Sequence, residues 1–338
     1  MHLRLLLAAL LSLLPQPALA LNIVLTNDDG LTSNVKALYD ALKAEGHDVV
    51  VSVPCVNQSG MGAAIKFLEP LTPLTSACRN GAARVGDPGA GPMTKPGFSS
   101  DFYYVNGTPV MAALYGIDVP AVARWGKAPD LLLSGPNEGQ NVGFIVISSG
   151  TVSNAQYGAI RGIPSVALSA GVDTVDNVNL SNPKSAKIAQ LTVRLIGWLR
   201  SMAGASALLP PGMALNVNFP DVLDGANWRS SRIGDYSKYK VRFTEHLPLP
   251  PGARDLRGCG CSYPGVTIEA NPEPNSEKQS QDESVVYRSD IAVTAMQVGY
   301  DHRPAGQDWL RSRIKRLTTA EGTVRAIWRR AEGAGNRR

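Results

Sequence analysis

Between Asn22 and Phe219, apolar runs of strand type alternate with stretches whose apolar residues recur at helical spacing, and nothing else in the chain constrains the fold as tightly. Asn22-Ile23-Val24-Leu25-Thr26 is followed, past Asn27-Asp28-Asp29-Gly30, by Val35, Leu38, Ala41 and Leu42, with Thr32 or Ser33 as helix cap and Gly46 as the stop. Val49–Val53 is a second strand. The rhythm returns with a helix over Thr108–Tyr115, a strand at Leu131–Leu133, a helix over Thr151–Arg161 and a strand at Ser165–Leu168. After Pro183 a longer helix places Ile188, Leu191, Leu195, Leu199 and Met202 on one face, and Leu215–Phe219 closes the series. Several of these strands are apolar throughout, as strands covered on both faces are. The pattern predicts an α/β protein with a mostly parallel sheet flanked by helices.

Two regions interrupt the alternation. Residues 76–101 are rich in Gly, Pro and Ser and read as a long surface loop. Residues 245–285 are rich in Pro, Asn and Glu and separate the core from a last strand-like segment, Ile291–Val298, after which an amphipathic helix is expected over Trp309–Arg330. The organisation expected is therefore a leader at 1–20, a catalytic core at 21–235, and a C-terminal loop, arm and helix at 236–338. With 44% hydrophobic and 18% charged residues, the chain is neither a disordered polymer nor collagen-like. No apolar run approaches the ~20 residues of a membrane-spanning helix. The net charge of +5 is a property of the tail: residues 303–338 carry ten Lys and Arg against three Asp and Glu, leaving the rest at −2. No aromatic stacking pattern accompanies that tail, so binding of duplex nucleic acid is not expected.

Arg4, the apolar stretch Leu5–Leu14, the prolines at 15 and 17 and the small residues of Ala18-Leu19-Ala20 together describe a cleavable secretory signal, with cleavage expected after Ala20 and a periplasmic or secreted destination. Cys55, Cys78, Cys259 and Cys261 all follow that point, and an even number of cysteines in an oxidising compartment reads as two disulfides. Three pairings are open. A Cys55–Cys78 bond would close a Gly/Pro-rich loop and leave Cys259 and Cys261 to pair across one glycine. Zinc is the rival reading, but there is no CxxC pair and no histidine cluster.

Ligands of open parallel sheets bind beyond the carboxyl ends of the strands, and three polar, glycine-bearing segments fall there. In Asn27-Asp28-Asp29-Gly30 two neighbouring carboxylates repel each other at a strand end, a costly arrangement unless a cation neutralises them. Ser134–Gly143 follows the Leu131–Leu133 strand and offers the amide oxygen of Asn137. Ser148-Ser149-Gly150-Thr151 opens a helix, where hydroxyls and free N–H groups suit a phosphate. Asp28, Asp29, Asn137 and the Ser59 hydroxyl of Asn57-Gln58-Ser59-Gly60 make an all-oxygen donor set, suited to one hard divalent cation: Mg²⁺, Mn²⁺ or Ca²⁺. A cation beside a phosphate-binding helix start implies hydrolysis of a phosphate ester by an activated water.

TNDDG at 26–30, NQSG at 57–60, NGTP at 106–109, DLLLSGPNEGQNVG at 130–143, SSGTV at 148–152 and LNVNFP at 215–220 stand in the order found in SurE-type nucleotidases. The resemblance spans about residues 22–220, with a weaker echo in Ser289–Tyr300. It implies a Rossmann-like core, dependence on a divalent metal and hydrolysis of nucleoside 5′- or 3′-monophosphates, a small-molecule substrate. It also implies homodimers or homotetramers built through an exchanged C-terminal arm. Carried over by position, the metal ligands are Asp28, Asp29, Ser59 and Asn137. The phosphate falls to Ser149, Gly150 and Thr151, with Gly60 and Asn27 assisting, and Asp29 would also orient the attacking water.

The chain departs from the family pattern at Asn57, where a basic residue is frequent, and at Phe144–Ile147, where acidic residues are frequent. The NQSG form and the leader resemble the extracellular, acid-phosphatase-like branch. Two further readings stand beside the nucleotidase: a broad acid phosphatase or exopolyphosphatase with the same site, and a nucleotide-binding module without catalysis.

Overall fold

A computed structural model of the chain describes residues 20–98, 100–175, 179–204, 206–249, 262–300 and 304–313. The leader up to residue 19, the Cys259/Cys261 pair and all but the first residues of the expected Trp309–Arg330 helix lie outside them. In chain order the main body contains β1 (Asn22–Thr26), α1 (Ser33–Ala44), β2 (Asp48–Pro54), β3 (Ala90–Pro92), β4 (Phe102–Val105), α2 (Pro109–Asp118), α3 (Pro120–Trp125) and β5 (Leu131–Glu138). It continues through α4 (Gly150–Ile160), β6 (Ser165–Ala170), α5 (Pro183–Ala203), β7 (Met213–Asn218), β8 (Trp228–Ser231), β9 (Tyr239–Leu247), β10 (Tyr263–Ala270), α6 (Glu283–Val286) and β11 (Ile291–Gln297). Residues 299–338 form a separate unit, in which 304–313 are helical. Among the described residues, no helix is long and apolar enough to cross a membrane.

One nine-stranded sheet runs in the order β3-β4-β2-β1-β5-β6-β7-β11-β8. The six strands from β4 to β7 are parallel, the mostly parallel sheet expected from the alternation of strands and helices and the Rossmann-like core that the family resemblance implies. The period-two geometry of a strand sorts its side chains between the two covering layers. Ile23 and Leu25 join Val35, Leu38, Ile188 and Leu195 of α1 and α5 on one face. Val24 points the other way, into a cluster with Val50, Ile117 and Leu132 beneath α2. Small residues let α4 approach that second face closely: Ala155 and Ala159 meet Ala167 and Ala214.

The helix starts follow capping chemistry. Thr32 accepts the Val35 N–H at 3.2 Å, and Asn182 accepts from Lys184 and Ser185 ahead of α5. Thr108 caps α2, which runs three residues beyond the expected Tyr115. The sheet is not complete at residue 235: β11 returns antiparallel to β7 and brings β8 in parallel beside itself. The loop at 76–101 contains β3, antiparallel to β4 at the sheet edge, and Cys78, which is disulfide-bonded to Cys55 directly after β2. The region 245–285, expected as a break, contains β10, which pairs antiparallel with β9 as a separate two-stranded ribbon.

Candidate active site

β1 and β5 are neighbours, Thr26 lying beside Ser134, and the chain leaves them in opposite directions along the sheet: β1 leads to β2 and β5 to β6. Their carboxyl ends therefore open the crevice at which such sheets bind ligands. Asp28 and Asp29 stand there, 3% and 1% exposed. Asn27 shapes the turn: its side chain donates to Gly30 O at 2.8 Å and accepts the Gly30 N–H at 3.1 Å. With one bond on each polar atom of its amide and the residue fully buried, Asn27 shapes the turn that sets the acidic pair.

Asp28 faces the start of α4. Its Oδ1 accepts the Thr151 hydroxyl at 2.5 Å. Ser149 is the helix N-cap, its Oγ accepting the Val152 N–H at 3.1 Å. At Gly150 a Cβ would lie 2.7 Å from Asp28 Cβ and 2.6 Å from Pro109 Cγ, so only glycine lets the helix start come this close. Asn154, one turn further on, donates to Asn27 O and Ser134 Oγ at 3.2 Å each, tying α4 to both strand ends.

Asp29 faces the other way. Its Oδ1 accepts from Asn57 Nδ2 at 3.0 Å, with Ser59 Oγ at 3.5 Å, and its Oδ2 accepts the Glu138 N–H at 3.0 Å. Asn57 also accepts the Ser59 N–H at 2.9 Å, and Gln58 N–H donates to Asp28 O at 2.8 Å, so the loop after β2 folds onto the acidic turn. Gly60, with φ +83°, turns that loop toward Gly62, whose N–H reaches Ser148 O at 3.0 Å. The NQSG and SSGT segments are thus joined through the backbone. Asn137 adjoins Glu138; its Nδ2 donates to Gly139 O at 2.6 Å, and its Oδ1 is buried with no hydrogen-bond partner.

The pair is electrostatically costly as it stands. Burial, and then the charge of Asp29, pushes the Asp28 carboxyl up to about 7. Asp29 is also pushed up, chiefly by burial, against the lowering effect of the Glu138 N–H and the Arg79 guanidinium. Among the described residues no group of three His, Cys, Asp or Glu side chains gathers as a metal centre. The donors present are instead two carboxylates, a hydroxyl and an amide oxygen, a hard-oxygen set that fits Mg²⁺, Mn²⁺ or Ca²⁺. The orphaned Asn137 Oδ1 and the unneutralised pair both fit a cation held there.

Four contributors escaped the motif-based reading as site residues. Asn57 and Glu138 lie inside the motifs but act on Asp29 through an amide and a backbone N–H. Asn154 sits three residues after Thr151, on the same helix face. Arg79, which donates to Asp29 O at 2.8 Å and to Glu138 Oε2 at 2.7 Å, comes from the Gly/Pro-rich loop.

Residues 23–241 match the family model described as Survival protein SurE. The chain is 35% identical to an acid phosphatase of Yarrowia lipolytica over 60% of this chain, a match that spans only 57% of that relative. It is 30% identical to a 5′-nucleotidase SurE of Thermosipho melanesiensis over 81% of this chain and 92% of the relative. The crystal structure of the SurE protein from Aquifex aeolicus superposes with a TM-score of 0.58 at 28% identity, covering 83% of this chain and 95% of that one. With ordered motifs, sheet topology and strand-end acidic pair all in agreement, the chain belongs to the SurE family.

Proposed function

We propose that this chain is a divalent-cation-dependent phosphomonoesterase that hydrolyses nucleoside 5′- or 3′-monophosphates to nucleoside and phosphate, with water as the nucleophile. The observation that carries the proposal is the buried Asp28–Asp29 pair set between the end of β5 and the first turn of α4. Asp28, Asp29, Ser59 and Asn137 would hold one Mg²⁺, Mn²⁺ or Ca²⁺ ion. When bound, that ion supplies the positive charge that polarises a phosphoryl oxygen and makes a water acidic enough to attack.

The chain's own groups do the rest. The first-turn N–H groups of α4 at Gly150 and Thr151 have no helix carbonyl to serve; that of Thr151 faces the Asp28 carboxylate, and that of Gly150 presents partial positive charge to a phosphate. Ser149 fixes the helix start that aims them, its hydroxyl oxygen being occupied by Val152 N–H. Asp29, held on three sides by Asn57, Ser59 and Glu138, keeps an anionic oxygen in place to orient the water. Asp28, fixed by Thr151, sets the distance between the acidic pair and the phosphate cradle.

The likeness to the Yarrowia acid phosphatase supports a second reading, a broad acid phosphatase with the same site. Phosphate release from AMP, GMP, an aryl phosphate and polyphosphate, with and without chelator, separates the two. A preference for nucleotides supports the nucleotidase, and comparable rates on all monoesters support the broad enzyme. Nucleotide binding with no cation-stimulated release refutes both. Export to the periplasm or medium is part of the proposal, and the Cys55–Cys78 disulfide is in keeping with an oxidising compartment. A homodimer or homotetramer is proposed as well. One face of the β9–β10 ribbon carries Val241, Phe243, Val266 and Ile268, with Phe243 62% and Ile268 60% exposed, and a second copy would cover it.

A further inference from the structure

The disulfide lies next to the acidic turn. Cys55 directly follows β2 and bonds Cys78, closing a loop of sequence separation 23. Cys78 leads straight into Arg79, whose N–H donates back to Cys55 O at 2.8 Å. The next two side chains then reach across to the turn after β1. Arg79 Nη1 donates to Asp29 O and Asn80 Nδ2 to Leu31 O, both at 2.8 Å. Between those two carbonyls sits Gly30, at φ +86°, where a Cβ would lie 3.0 Å from Pro54 O. The turn is therefore gripped at both ends by the two residues that follow Cys78, while its middle presses on the end of β2. Asn80 is itself held, its carbonyl accepting Lys95 Nζ at 2.8 Å.

Arg79 also closes a ring. Its Nη2 donates to Glu138 Oε2 at 2.7 Å, and the Glu138 N–H donates to Asp29 Oδ2 at 3.0 Å. Asp29, Glu138 and Arg79 thus fix one another, the guanidinium fork meeting a carbonyl on one strand end and a carboxylate on the next. A lysine, with a single point charge, could not span both. The Glu138 side chain is 4% exposed, so loss of Arg79 would leave a buried carboxylate without its partner.

We propose that Arg79 and Asn80 are positioning residues for the reaction, and that the Cys55–Cys78 disulfide holds them against the Asp29–Leu31 turn, so that a cross-link outside the sheet sets the acidic pair. The catalytic half of this inference rests on the phosphomonoesterase reading; the structural half rests on the contacts alone. Reduction by dithiothreitol would transfer two electrons and two protons to the Cys55 and Cys78 sulfurs as the reagent closes to its own disulfide, releasing the clamp.

The test uses the full chain, the variants Arg79→Ala, Arg79→Lys and Asn80→Ala, and the double variant Cys55→Ala/Cys78→Ala. Hydrogen exchange over residues 28–33 is read beside Mn²⁺-stimulated hydrolysis of an aryl phosphate. Arg79→Ala should speed exchange over 28–33 and lower kcat about a hundredfold with KM little changed, the scale expected when reacting groups shift by about 1 Å. Free guanidinium ion should restore part of that kcat and slow exchange over 28–33 again, and Arg79→Lys should fall between. The cysteine double variant should move exchange and kcat in the same direction; wild-type values for both overturn the role of the disulfide. If that variant does not fold, dithiothreitol treatment of a Cys259→Ser/Cys261→Ser chain gives the same reading. Unchanged exchange in Arg79→Ala overturns the clamp, and faster exchange with undiminished kcat overturns the positioning role. A wild-type protein that releases no phosphate refutes the functional reading instead, and exchange alone then decides the clamp.

Discussion

Thr151 Oγ1 lies 2.5 Å from Asp28 Oδ1 and donates its proton to it, so one side-chain bond joins the first turn of α4 to the end of β1. Both residues are buried. Thr151→Val keeps the shape and removes the donor, leaving a buried carboxylate one hydrogen bond short, at a stability cost of about 1–3 kcal/mol. It also frees Asp28 to shift relative to the helix start, so kcat should fall by about one to two orders of magnitude. Thr151→Ser keeps the hydroxyl and should retain most activity. Melting curves and kcat for the two variants test this, and equal activity in Val and Ser would refute it.

The acidic pair should trade stability against function. Burial holds both carboxyls above the usual carboxylate range, so each destabilises the ion-free fold when ionised at neutral pH. Asp28→Asn, which can keep an oxygen toward Thr151, should therefore fold at least as stably as the wild type without added metal while losing activity. Asp29→Ala should likewise stay folded and inactive. Wild-type Tm should rise with Mn²⁺ and fall back with chelator, a ligand at 100 times its Kd adding about 2.7 kcal/mol. Neither variant should show that rise; the measurement is thermal unfolding with and without Mn²⁺.

What could be read in the sequence was what is local. β1, β2 and β6 are buried on both faces and so appear as near-continuous apolar runs, interrupted by Ser52 in β2 and Ser169 in β6. Asp28 and Asp29 are adjacent, and their cost is visible without a fold. β5 proved longer than its leucines because Asn137 and Glu138 stay paired with Ser169 and Ala170 across a register shift, a property of the neighbour and not of the segment. β9 and β10 carry no plain strand signature, since their apolar face is turned outward and polar residues dominate the rest. Thr151 and Asp28 are 123 residues apart, and Arg79 and Glu138 59 apart. No spacing rule joins such pairs before the strand order is known.

Gly150 tests how close the helix start must come. An alanine there would place its Cβ 2.6 Å from Pro109 Cγ and 2.7 Å from Asp28 Cβ, with the backbone of α4 already fixed by Asn154. Relief has to come from moving α4 or the acidic turn, and overpacking of this kind costs about 1–3 kcal/mol. Gly150→Ala should lower Tm and abolish measurable phosphate release. Gly197→Ala, at a helix position where a Cβ meets nothing within 4 Å, is the control and should leave activity unchanged and Tm no lower, since alanine favours a helix interior over glycine. A wild-type rate in Gly150→Ala would mean that the helix start and Asp28 need not be in contact.

Glu283 should make stability depend on pH in a direction opposite to an ordinary ion-paired carboxylate. It is fully buried, and its carboxyl accepts from Gly143 N–H at 2.9 Å, Asn216 Nδ2 at 2.9 Å and Thr294 Oγ1 at 3.0 Å. Burial outweighs these three donors and raises the carboxyl from 4.5 to about 7, the charge of neighbouring Asp282 adding to the rise. Below pH 4.5 the group is protonated in both states and imposes no penalty. As pH climbs from 4.5 to about 7 the unfolded chain loses the proton first, so stability is progressively lost, by an amount of order 3 kcal/mol. Glu283→Gln cannot ionise, and its unfolding free energy should be flatter across that window even if its absolute stability is lower, because the new amide faces the Asn216 donor. Urea melts at closely spaced pH values give both slopes, and parallel profiles for the variant and the wild type would show that Glu283 ionises normally in the folded protein.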